Sequence, residues 1–124
     1  MITIGLDAYL VAARNKKQLE SEEFWDALFD SREMKENYEW DAPAELAYWR
    51  KFWDLHTAMS HKYGLDNGDW VELSKDDLEY LLDVAAHNPD YWDDFKSVPD
   101  ICRVIYNYDK LRENGLQVFY GGNY

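Results

Sequence analysis

The first repeating pattern in the chain is an alternation. Ile2, Ile4, Leu6 and Ala8 are separated by Thr3, Gly5, Asp7 and Tyr9, a period of two that predicts a strand with one buried face. Leu10, Val11, Ala12 and Ala13 extend the apolar character until Arg14-Asn15-Lys16-Lys17 ends it. Residues 21–30 change period. Ser21 suits an N-cap, Glu22 and Glu23 suit a first turn, and Phe24 and Leu28 lie four apart, which predicts a helix. Residues 31–41 are polar with isolated Met34, Tyr38 and Trp40, and predict a loop or a short irregular helix. Over residues 43–63, Pro43 suits a first helical turn and Gly64 a C-terminal cap. At about 100° per residue, Leu46, Tyr48, Trp49, Phe52, Trp53, Leu55, His56, Met59 and Tyr63 fall on one half of the wheel. A half-circle of apolar surface predicts a central helix buried against more than one element.

Leu65 to Asp69 predicts a turn and Trp70-Val71-Glu72-Leu73 a short strand. Ser74-Lys75-Asp76-Asp77 is a capping box with Asp in the place of Glu. The helix it opens buries Leu78, Leu81, Leu82 and Ala85, and stops near Asn88-Pro89 because the residue before proline disfavours helix. Residues 89–96 form an acidic aromatic loop. Ser97 caps a last helix with Ile101, Val104, Ile105, Tyr108 and Leu111 on its apolar face. Asn114-Gly115 closes that helix, Leu116 to Tyr120 predicts a final strand, and Gly121 to Tyr124 a tail. The order predicts one α+β domain over residues 1–124. A small antiparallel sheet pairs the N- and C-terminal strands and packs on one face against a helical layer, with the central helix near residues 43–63.

Composition narrows the class. Acids number 25 against 13 Lys and Arg, for a net charge of −12, and aromatics make up 17% of the chain. Acidic disordered chains are poor in aromatics, so a folded domain is expected. No apolar run approaches the roughly 20 residues a bilayer span needs. The start Met1-Ile2-Thr3-Ile4-Gly5 lacks a basic n-region, so a signal peptide is not expected, and the chain is read as cytoplasmic. The lone Cys102 cannot form an internal disulfide or a cysteine-rich zinc site. The charge is uneven: residues 66–100 hold 11 acids against Lys75 and Lys96, while residues 101–124 hold two acids and three bases. Such a field repels nucleic acid and anionic membrane, and speeds encounter with basic protein surfaces.

Three pieces carry a resemblance: Gly5-Leu6-Asp7-Ala8-Tyr9-Leu10, then Tyr48-Trp49-Arg50-Lys51 with His56 five residues on, then Ser74 through Leu82. In order and spacing they resemble a family of small bacteriophage and prophage proteins. Members open on a Gly-Leu-Asp-Met-Tyr-Leu-like strand, carry a Tyr-Trp-Arg-Lys-x-x-x-x-His helix and a Ser-x-x-x-Leu-x-x-Leu-Leu helix, and end in an aromatic strand. The likeness covers about two thirds of the chain in patches. It departs at Ala8, where the family usually has Met, and residues 14–42 and 89–96 have no counterpart. It implies a phage context, hence the cytoplasm of a host cell, and an α+β fold; it implies no activity.

Candidate chemistry falls into two sets. The first is a partner-binding surface of Asp76, Asp77, Asp83, Asp90, Tyr91, Trp92, Asp93 and Asp94, where carboxylates adjoin large rings. Tyr and Trp are enriched at interfaces, and carboxylates suit Arg or Lys on a partner. Asp66, Asp69, Glu72 and Glu79 extend it. The second set, Asp7, Tyr9, Arg50, His56 and Tyr120, would line a pocket. There His56 would act as a general base or ligand, against the plainer reading of a buried histidine that holds a core hydrogen bond. Cys102 reads as inert core. No catalytic residue, cofactor or metal is expected: His56 and His61 lie five apart, where a helical metal pair needs four, and no phosphate-binding loop is present.

These features favour a non-enzymatic phage accessory protein that binds and inhibits a host protein with a basic surface. The expected target is a nucleic-acid-directed defence, by anti-CRISPR or anti-restriction action through DNA mimicry. The alternatives are a small-ligand-binding protein or enzyme built on the second set, and an assembly protein that forms homo-oligomers through exposed rings.

Overall fold

The computed structural model describes residues 5–30, 38–88 and 97–124. The described chain runs β1 (Asp7–Ala13), a 3-10 turn (Lys16–Glu20), α1 (Glu22–Asp30), β2 (Ala44–Arg50), α2 (Trp53–Tyr63), β3 (Trp70–Leu73), α3 (Lys75–Ala86), α4 (Ser97–Tyr106), α5 (Tyr108–Glu113) and β4 (Gln117–Asn123). The strands form one antiparallel sheet in the order β2-β1-β4-β3. The chain is therefore α+β, and its N- and C-terminal strands pair along their whole length, from Asp7 opposite Asn123 to Ala13 opposite Gln117. No helix among the described residues is long and apolar enough to cross a membrane.

The sheet is covered on both faces, not one. Ala8, Leu10, Ala12, Val118 and Tyr120 point to the larger core, which Leu55 and Met59 of α2, Leu78, Leu81 and Ala85 of α3, and Ile101 and Val104 of α4 complete. The alternate residues Val11, Ala13 and Phe119 meet Leu19, Phe24 and Leu28 on the opposite face. With both faces buried, β1 reads as a continuous apolar run from Leu10 to Ala13. Ser21 accepts from the Phe24 amide to open α1, and the Ser74–Asp77 capping box is formed in full.

The expected central helix at 43–63 is half strand. Residues 44–50 lie antiparallel to β1, and helix begins only at Trp53. Central β1 has two rows of backbone donors and acceptors; β4 satisfies one row, and β2 supplies partners for the other. A bulge hides this from the pattern. Leu10 pairs with Ala47 but Val11 pairs with Glu45, so Leu46 is an extra residue and shares the larger core with Ala47 and Trp49. That spacing imitates a helical stripe. The chain then turns through Lys51 at φ 61°, its amide donating to the Leu6 carbonyl at 2.6 Å.

Three smaller expectations also change. The single last helix is two, α4 and α5, joined at Asn107. Cys102 is exposed on α4, not core. Gly121 and Gly122 belong to β4, not a tail, because each lets a ring lie against the sheet. A methyl group at Gly121 would sit 2.6 Å from Cδ2 of Trp70 on one face, and one at Gly122 2.6 Å from Nδ1 of His56 on the other.

Candidate functional site

The sheet divides the expected pocket. Asp7 and Tyr9 alternate with Ala8 and Leu10 along β1, and Arg50 pairs with Asp7, so these three belong to the face that α1 partly covers. Tyr120 pairs with Leu10 and His56 packs on Gly122 from the α2 side, so both belong to the larger core. One layer of backbone lies between the two groups. Asp7, Arg50 and His56 do not line a common cavity.

His56 is 3% exposed. Its Nδ1 lies 2.8 Å from the Tyr120 hydroxyl and its Nε2 lies 3.2 Å from Ser60 Oγ, one turn along α2. Rings of Trp53 and Tyr124 cover its outer side at 6.4 and 5.4 Å, and the Asn67 side chain holds the Tyr124 backbone there, its amide donating to the Tyr124 carbonyl and its oxygen accepting from the Tyr124 amide. Burial lowers the His56 pKa below its ordinary 6.5 and drives the Tyr120 phenol far upward. Both ring nitrogens are thus within hydrogen-bond distance of hydroxyls, and the Ser60–His56–Tyr120 line is a buried network that ties α2 to β4. No group of three or more His, Cys, Asp or Glu among the described residues is placed to hold a metal.

The acidic set behaves differently. Of its members, Asp90, Tyr91, Trp92, Asp93 and Asp94 lie outside the described residues. Asp76 and Asp83 are exposed on α3, and so is Glu79 between them. Spacings of three and four put all three on one helix face, away from Leu78, Leu81 and Ala85, which pack into the core. Asp77 does not join them. It accepts from the Ser74 amide and hydroxyl and, at 2.6 Å, from the Tyr63 hydroxyl. Burial alone would raise its pKa, but these bonds and the nearby Lys62 charge outweigh burial and hold the carboxyl below 3.8. Asp77 is a structural cap, while its neighbours face solvent. Nearby cations are already engaged: Lys75 with Asp109 at 3.3 Å, Lys62 over the Tyr80 ring at 3.7 Å.

No family model, curated protein or solved structure matches the chain.

Sequence reasoning missed Tyr48 and Trp70 as partners of Tyr9. Tyr48 was placed on a helix, and nothing in a four-residue strand identifies its neighbours. The register aligns Tyr48, Tyr9, Gly121 and Trp70 across all four strands. Trp25 from α1 stacks on Trp70 at 5.4 Å. The Tyr48 hydroxyl donates to Asp7 Oδ1 at 2.6 Å; burial, then this bond, pushes its pKa up to about 12. This row is a half-buried aromatic surface on the face opposite α3.

Proposed function

We propose that the chain is a non-enzymatic binding protein for a host protein with a basic surface, carried by the outward face of α3. The observation behind this reading is the row Asp76, Glu79 and Asp83, exposed and aligned on a helix that the core anchors along its other side. Helical rise places the three carboxylates about 5 Å apart along the axis, against about 3.4 Å per phosphate along one DNA strand. The row thus resembles a sparser phosphate strand, and a groove built for nucleic acid is a fitting partner. Together with the phage-like sequence patches, this favours inhibition of a nucleic-acid-directed defence.

The test is a plaque assay in host cells that carry such a defence. Cells expressing the chain are expected to admit targeted phage, and cells expressing the Asp76→Lys, Glu79→Lys, Asp83→Lys variant are not. Equal plaquing with both proteins, at equal cellular levels, would reject the α3 surface; no effect of the wild-type chain on any defence tested would reject the inhibitory role.

A further inference from the structure

We infer that Lys62 is an internal competitor for the α3 surface: its ammonium occupies the ring of Tyr80, and a basic side chain of the partner takes its place there. This role presupposes the α3 reading above, since it sets the affinity of that same surface. Two observations support it. The first is that a cation is already held at this spot. Lys62 Nζ lies 3.7 Å from the Tyr80 ring centroid and 5.6 Å from that of Tyr63, and its charge also reaches Asp77. Lys62 itself is exposed, so the contact runs across the surface from α2 to α3.

The second observation is where Tyr80 stands. At 3.6 residues per turn it lies about 40° around α3 from Asp76 and about 60° from Asp83, on the side where Lys62 and Tyr63 of α2 reach the helix. Along the axis it falls between the two carboxylates, about 6 Å from one and 4.5 Å from the other. Tyr80 is half-buried, packed against the larger core, so its ring is a fixed platform at the margin of the acidic row. A ring flanked by carboxylates attracts a cation twice, through its π face and through the adjoining charge. In the free chain Lys62 supplies that cation and relieves the repulsion among Asp76, Glu79 and Asp83, which lie three and four residues apart. A partner's basic side chain relieves the same repulsion from outside. Lys62 then moves into water, and the row presents its full charge to the partner.

The experiment titrates the intact chain with a short acetylated, amidated Gly-Arg-Gly-Arg-Gly peptide and follows the Lys62 ε-methylene protons by NMR, assigned with the Lys62→Met variant. In the free chain the Tyr80 ring should hold these protons upfield of an ordinary lysine, and peptide binding should return them toward the ordinary position. Lys62→Met keeps the aliphatic stem and removes the charge; it should bind the peptide about two- to fivefold tighter than the wild type, the scale of an exposed cation–π contact. Lys17→Met removes the same charge from the 3-10 turn, whose Leu19 packs on the opposite face of the sheet. It should leave the affinity within about 1.5-fold, since charges beyond a Debye length of roughly 8 Å are screened. In the Lys62→Met chain, Tyr80→Phe should keep the gain and Tyr80→Leu should remove it. Lys62 protons that stay upfield at saturation, equal affinity of Lys62→Met and wild type, an equal gain in Lys17→Met, or no peptide binding by either chain would each overturn the assignment. The Asp76→Lys, Glu79→Lys, Asp83→Lys variant separates the two claims. Binding lost there, with no gain in Lys62→Met, keeps α3 as the surface and rejects the role of Lys62; undiminished binding there rejects the α3 surface itself.

Discussion

Replacing Gly122 by alanine tests the packing that defines His56. Gly122 sits opposite Ala8 in the centre of the sheet, and its new methyl group would lie 2.6 Å from His56 Nδ1. The ring cannot simply withdraw, because Trp53 and Tyr124 cover its outer side. Overpacking a core costs about 1–3 kcal/mol, and displacing the ring also stretches the 2.8 Å bond to Tyr120, worth about 1 kcal/mol. Loss of glycine entropy in the unfolded chain offsets about 0.4–1 kcal/mol. The expected net loss is about 1–3.5 kcal/mol, or a fall in Tm of roughly 5–15 °C for a domain of this size. Urea unfolding followed by tryptophan fluorescence reads it directly. The decisive arm is a double-mutant cycle. In a His56→Ala background the ring is gone, and Gly122→Ala should cost less than about 0.5 kcal/mol, a coupling well above additivity error. Equal costs in both backgrounds would refute the ring-on-glycine account.

The depressed pKa of His56 gives a pH signature. The unfolded chain binds a proton at His56 near pH 6.5 and the folded chain only at lower pH, so His56 contributes its full stability above 6.5 and loses it as pH falls from there toward the folded pKa, at up to about 1.4 kcal/mol per pH unit; His56→Gln should flatten that slope in urea titrations at stepped pH. Tyr63→Phe removes a 2.6 Å donor to Asp77 and should cost about 1–2 kcal/mol by chemical unfolding, as bonds to charged groups do. It should also raise the Asp77 pKa, measured by NMR of the carboxyl carbon. Ser74→Ala breaks the capping box and should lower stability by about 1 kcal/mol. The α3 charge reversals Asp76→Lys, Glu79→Lys and Asp83→Lys should each change stability by no more than about 0.5 kcal/mol, since all three are exposed; a collapse of the fold would mean that the row is structural.

The parts of this fold that were legible are those where one physical signal dominates. The Ser74 cap is local and is found where expected; α3 ends at Ala86, just before Asn88, and β1 takes up the alternation from Asp7, while Ile2 to Ile4 and Pro89 lie outside the described residues. The histidine too was readable, since a lone His among large apolar residues favours a satisfied core group, and both its nitrogens are bonded. What failed depended on tertiary context. Ala44 to Arg50 includes good helix formers and an apolar spacing that a bulge had made helical, but β1 required an antiparallel neighbour. Gly121-Gly122 reads as a loose end until His56 and Trp70 are seen pressed against it. The division of Asp7, Arg50 and His56 between two faces follows from register, which no single segment encodes. The capping box already set Asp77 apart from Asp76, but its second donor, the Tyr63 hydroxyl fourteen residues away, is visible only in the structure.

The claim at the centre of this account is that α3 presents a charged surface to a basic protein. Its most direct measurement compares the host proteins retained by immobilised wild-type chain and by the Asp76→Lys, Glu79→Lys, Asp83→Lys variant, each washed at rising salt. The account predicts a basic host protein held by the wild type at low salt, released as salt rises, and absent from the variant. The same proteins retained by both chains, or a partner that withstands high salt, would contradict it.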